Sequence, residues 1–297
     1  MSSSGGLPGP EPSVWVVGLD GSENARQALG WSADLALGRH VRLLVMSAWQ
    51  YPSLGLLPTV GSAIPAVDEE VGAAIEREIE AIAGEVAAST GVDIETRLEL
   101  GPAAQVLLDA LEGADLAVVG SRGRGGFARL MLGSVSHQLA THARRPTIIV
   151  PEASERAGLH RVVVGVDGSE NSVAALRWAH GFVPDSVEVV ALGVWDELIG
   201  AGEHDFDAAV ARAEAALGAT GRFARVFETG IARERLVDHA ADADLLVVGE
   251  RGHRAFLGGV LGSVTTWVIH HLVCPTAVVP APDRTADVGQ GSATRPG

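Results

Sequence analysis

The sequence predicts an α/β chain of two tandem doubly wound domains, each a five-stranded parallel sheet flanked by helices. Three observations carry that expectation. One unit occurs twice, short apolar runs alternate with helical patterns inside each unit, and one strand of each unit runs into a glycine-rich loop.

The duplication is read from offsets. "VWVVGLDGSENARQALGWSADLA" begins at Val14 and "RVVVGVDGSENSVAALRWAHGFV" at Arg161, with Asp20 on Asp167 and Trp31 on Trp178, 147 residues apart. Further on, "ADLAVVGSRG" matches "ADLLVVGERG", and Gly120 falls on Gly249 at an offset of 129. The second copy is therefore 18 residues shorter between these landmarks. What it lacks corresponds to "YPSLGLLPTVGSAIPAVDEE", residues 51–70, and part of the helix that follows. The expected domains are 13–151 and 159–281, joined by the polar stretch "PEASERAGLH". Residues 1–12 and 282–297 read as flexible tails from their Gly, Pro and Ser content.

In chain order, "VWVVGLD" is a nearly all-apolar run, as a strand covered on both faces requires. A helix follows in "SENARQALGWSADLAL", with Ser22 placed to cap it and Ala25, Leu29, Ser32 and Ala33 on one face. "HVRLLVMSAW" is a second strand. In "VDEEVGAAIEREIEAIAGEVAA", Val71, Ile75, Ile79, Ile82 and Val86 recur at three and four, and Glu76, Glu78, Glu80 and Glu85 fall on a solvated face. "DIETRLEL" alternates like a strand near a sheet edge. A helix over 102–112, the strand "DLAVVG", the glycine loop, a helix over 133–143 and the strand "TIIV" complete the unit. Trp31 and Trp178 are expected to pack in the cores. His137 and His142 are expected on a helix surface, and Cys274 is expected to be buried rather than paired with His270 on a metal.

Composition narrows the chemistry. The net charge of −15 argues against nonspecific nucleic-acid binding, and no apolar run approaches the ~20 residues of a membrane span. A single cysteine and an N-terminus without a basic, apolar leader point to the cytoplasm. All 22 basic residues are arginine. A lysine-dependent phosphate loop and lysine Schiff-base chemistry are thereby excluded, and any phosphate must be held by backbone N–H groups and arginine.

The glycines fit that demand. G-x-x-G, nine residues, then G-S occurs as Gly120, Gly123, Gly133–Ser134 and again as Gly249, Gly252, Gly262–Ser263. Glycine permits positive φ and close backbone approach, and successive N–H groups in such a turn make an anion-binding concavity. The Gly-Ser pairs open the next helix, whose N-terminus favours a phosphate. A single loop of this kind is equally well a tight crossover turn; its repetition at fixed spacing favours phosphate. Asp20 and Asp167 end the first strand of each copy, at the edge where such sheets bind ligands. They can accept from ribose hydroxyls, hold a metal near phosphates, or make a local Asx turn. Arg122, Arg124 and Arg129 can neutralise phosphate or lie in a solvated loop.

The duplicated V-x-V-G-(V/L)-D-G-S start, the glycine loop and Pro146 and Pro275 before the last strands resemble the universal stress protein family in its tandem, Rossmann-like form, over about residues 13–281. The loop resembles that of the ATP-holding branch. The resemblance implies adenosine near Asp20 and Asp167, with Gly18 and Gly165 close by, and the adenine edge near Ala48 and Val194. It implies a triphosphate on Gly120, Arg122, Gly123, Arg124, Gly125, Gly126, Gly133, Ser134 and Val135. A second would lie on Gly249, Arg251, Gly252, His253, Gly262, Ser263 and Val264, with Mg near the two aspartates. Glu250 in place of Ser121 and His253 in place of Arg124 depart from the first loop. The resemblance also implies that "TIIVP" and "TAVVPA" pair across a two-fold between the halves; a homodimer of whole chains is a further expectation. The leading expectation is an ATP-binding regulatory module with at most slow hydrolysis. The alternatives are a nucleotide-using enzyme, such as an ATPase or adenylyl transferase, and a nucleotide-free interaction scaffold.

Overall fold

The computed structural model describes residues 12–50, 64–124, 132–152, 154, 158–195, 202–252 and 261–282. Residues 1–11 and 283–297 of the predicted tails 1–12 and 282–297, and residues 51–63 of the Pro/Gly-rich stretch 51–70, lie outside the described residues.

The first half runs β1 (Ser13–Gly18), α1 (Glu23–Ala36), β2 (Val41–Trp49), α2 (Ile64–Thr90), β3 (Asp93–Leu100), α3 (Ala103–Leu111), β4 (Leu116–Gly120), α4 (Ser134–His142) and β5 (Thr147–Val150). The second repeats it as β6 (Arg161–Val166), α5 (Glu170–Phe182), β7 (Glu188–Trp195), α6 (Glu203–Leu217), β8 (Ala224–Thr229), α7 (Ala232–Ala240), β9 (Leu245–Gly249), α8 (Ser263–Ile269) and β10 (Thr276–Val279). Ser22 and Ser169 cap α1 and α5, their hydroxyls accepting from the N–H of Ala25 and Ser172 at 3.2 Å each. Helix α2 is longer than the periodicity predicts. Its burial grows along its length, from exposed Val71 through half-buried Ile75 to buried Ile79, Ile82 and Val86, so Val71 is not a core residue.

Each half is a parallel sheet, and the two merge into one ten-stranded sheet of order β3-β2-β1-β4-β5-β10-β9-β6-β7-β8. The merger is the antiparallel pairing of β5 with β10, Ile148 opposite Ala277. All other pairings are parallel, so the carboxyl ends of the two half-sheets lie on opposite edges of the whole. The central strands β4, β5 and β10 are apolar and buried throughout. The outer strand β3 carries charge instead, with Glu95 bridging Arg42 and Arg97.

Two apolar layers cover the sheet, and each runs through both halves. One joins Trp15, Leu29, Trp31 and Ile148 to Val164, Leu176 and Phe206; the other joins Val16, Leu139 and Ile149 to Val163, Leu246 and Ile269. On the first face Phe182 closes the seam. Its ring lies 5.6 Å from that of Trp15 and stacks on Trp178 at 4.6 Å. The Arg39 guanidinium sits 5.2 Å from the Phe182 ring and donates to the Phe182 carbonyl at 2.7 Å. On the second face His137 of α4 meets His270 beyond α8, their rings 6.0 Å apart. His137 is exposed, as expected, but it stands at the seam between the halves.

Candidate functional site

Strands β1 and β4 lie side by side and end together, so the turn after β1 and the loop after β4 face each other across the carboxyl edge. Between them opens a cavity of about 400 Å3. Gly18, Asp20, Ala48, Gly120, Arg122, Gly123, Gly133, Ser134 and Val135 line it, nine residues singled out in the sequence. Its apolar part is made by Met46, Leu107, Val119 and Leu132. At the other end α4 begins at Gly133 without a side-chain cap, which leaves its first N–H groups to a ligand or water.

Asp20 organises the mouth. One carboxylate oxygen accepts from the N–H of Ser22 at 3.0 Å, the Asx turn, and the other from the N–H of Arg124 at 2.7 Å, across to the glycine loop. A Cβ on Gly123 would lie 2.3 Å from that second oxygen. Gly123 is needed for close approach and not for its φ, since positive φ falls on Gly21 and Gly168 of the D-G-S turns and not on the described loop glycines. The Arg124 side chain is ion-paired with Glu78 of α2, which also faces Arg26 at 3.8 Å. Glu78 thus does more than solvate a helix face. Arg122 stands 3.6 Å from Glu152, an exposed partner.

Two residues absent from the sequence reading hold the loop. Asn24 is buried; its oxygen accepts from the N–H of Arg122 at 2.9 Å and the hydroxyl of Ser121 at 3.1 Å, and its NH2 donates to the Val150 carbonyl at 3.1 Å. Ser136 donates to the Gly120 carbonyl at 2.7 Å, and Thr265 does the same to Gly249 at 2.8 Å. The signal for Asn24 was available, because D-G-S-E-N is identical at 20–24 and 167–171.

In the second half Gly165 abuts Leu236 as Gly18 abuts Leu107, and a Cβ on Gly252 would lie 2.5 Å from an Asp167 oxygen. Val194 and Val264 pack on the same apolar layer as Leu236. Gly249 leads through Glu250, Arg251 and Gly252 toward Gly262 and Ser263 at the start of α8. Asp167 accepts from the N–H and the hydroxyl of Ser169 at 3.1 and 2.6 Å. Gly125, Gly126, Arg129 and His253 lie outside the described residues. Cys274 is buried, and burial pushes its thiol up to about 12, far from a reactive thiolate. Among the described residues no group of three or more His, Cys, Asp or Glu could hold a metal, and no helix is long and apolar enough to cross a membrane.

This fold, with a duplicated glycine loop at the carboxyl edge, is that of a known family. The universal stress protein family profile matches residues 15–151 and 158–280, and the chain belongs to that family. A universal stress protein of Mycolicibacterium smegmatis is 30% identical over 288 residues, covering 89% of this chain and 96% of its own. One from Mycobacterium tuberculosis is 30% identical over 276 residues, covering 91% and 97%. Among solved structures, a universal stress protein from Archaeoglobus fulgidus matches with a TM-score of 0.71 at 22% identity, covering 90% of this chain and 98% of that one. That likeness is one of fold.

Proposed function

We propose that the chain is a cytoplasmic ATP-binding regulatory module, in which a nucleotide held by the first half biases the chain toward its partners in stress response or growth control. The observation that carries this reading is the convergence of nine sequence-selected residues on one cavity of about 400 Å3, a size suited to a small-molecule ligand. Its two ends have the chemistry of the two ends of a nucleotide. Met46, Leu107, Val119 and Val135 offer an apolar bed for a base beside Ala48. At the other end, the uncapped start of α4 offers N–H donors to phosphate. Asp20 already accepts two N–H groups, and its remaining lone pairs suit ribose hydroxyls. Among the described residues it is the one carboxylate lining the cavity, so a Mg ion would be held chiefly by the phosphates it accompanies. Arg122 pairs with exposed Glu152 and Arg124 with half-buried Glu78, and such solvent-accessible pairs are weak enough to be exchanged for phosphate.

A homodimer of whole chains would need a surface other than β5 and β10, whose edges are satisfied within the chain. Heat denaturation of the purified protein should release adenine nucleotide, and calorimetry of nucleotide-free protein should show binding of ATP with Mg in preference to AMP. A supernatant without adenine absorbance, together with no heat of ATP binding, overturns the reading.

A further inference from the structure

We infer that the second half takes no nucleotide, and that Glu250 decides this by giving Arg251 the anion that phosphate would otherwise supply. The inference rests on the nucleotide reading of the first half and concerns how the second departs from it.

The two loops share a backbone. Ser121 and Glu250 each follow the strand-ending glycine, and their N–H groups donate to Val150 and Val279 at 2.8 Å in both halves. Their carbonyls accept from Gly133 and Gly262 at 2.7 and 2.9 Å. The frame of a cradle is therefore intact in both, and the difference lies in side chains. The Ser121 hydroxyl is spent on Asn24. The Glu250 side chain, 1% exposed, puts one oxygen 3.1 and 3.3 Å from the Arg251 guanidinium and accepts the Ala281 N–H at 3.2 Å with the other.

The consequence for Arg251 is large. Arg122 faces Glu152, whose side chain is 57% exposed, at 3.6 Å, and can leave it at little cost. Releasing Arg251 would part a buried carboxylate from a guanidinium that pairs with it and set it beside an incoming polyphosphate, which opposes both steps. The neighbouring asparagine has changed as well. Asn24 accepts from the N–H of Arg122, whereas Asn171 donates to the carbonyl of Arg251 at 2.9 Å. The turn after β6 is also covered differently. A Cβ on Gly168 would lie 2.9 Å from the Asp205 Cβ, so the acidic first turn of α6 rests on it. At the matching place over Gly21 stand Arg124 and Glu78, an arginine among them.

The test is the stoichiometry of Mg-ATP binding to the full chain by calorimetry, with the melting temperature as a folding control. One nucleotide per chain is expected for the wild type, and Gly123→Asp should weaken all binding at least tenfold. Two per chain, or a Gly123→Asp protein that keeps one nucleotide at wild-type affinity, overturns the inference while leaving the nucleotide reading standing. No binding to the wild type removes both. Glu250→Ser restores the first half's residue, and Glu250→Gln keeps an acceptor for Ala281 without the charge. Either variant, if folded, should add a second binding event. Folded variants that still take one nucleotide overturn the role given to Glu250.

Discussion

At the scale of single residues, Asn24 sets the loop's shape from outside the loop. It joins α1, the end of β5 and the residues after β4 through three hydrogen bonds, all from a buried position. Asn24→Ala leaves the Ser121 hydroxyl and the Arg122 N–H without their acceptor, at a cost of about 2 kcal/mol. Urea denaturation should show that loss, together with weaker nucleotide binding; an unchanged midpoint would mean that solvent replaces the asparagine. The loop glycines were legible in the sequence, because spacing survives duplication. The reason for Gly123 was not. It depends on Asp20, distant in sequence, arriving within van der Waals contact, and no local pattern reports that. Asn24 recurs in both copies of D-G-S-E-N, but its neighbours Ser22 and Asp20 already account for a helix start, and no local pattern marks its reach to the loop.

At the scale of elements, strands and helices followed the apolar periodicity closely, since β1, β4 and β5 are covered on both faces and read as unbroken apolar runs. The start of α2 was less legible: from Glu70 to Ile75 it buries too little to impose a period. Which helices would meet across the seam was also hidden, because that contact belongs to the pairing of halves. The meeting of α4 with the end of α8 has a measurable effect. His270 is held below its ordinary value of 6.5 by burial, then by His137 and by His271. The folded chain therefore keeps it neutral where the unfolded chain protonates it. Stability falls as pH drops below about 6.5, until the folded group also takes up its proton. The melting temperature should decrease between pH 7.5 and pH 5.5, and His270→Gln should lessen the decrease. An undiminished decrease in that variant would assign the effect elsewhere.

At the scale of the whole molecule, the halves share both apolar layers, the Arg39–Phe182 contact and the β5–β10 pairing. Residues 12–152 expressed alone would expose the edge of β5, with Thr147, Ile148 and Ile149 unpaired. That fragment should pair with a second copy of itself, or with residues 158–282 when both are present, and light scattering after gel filtration distinguishes these states from a monomer. A stable monomeric fragment would show that the seam is dispensable.

The antiparallel seam carries a further meaning. It has the form of an isologous two-fold interface, drawn inside one polypeptide. In a dimer of separate identical subunits every substitution is made in duplicate, and a change that closes one pocket closes its twin. Once the two copies are fused, that obligation ends. A glutamate can arise at position 250 while a serine persists at 121, and one half is free to become ballast or counterweight for the other. The sheet is symmetric about the seam, and the two loops on its edges are not.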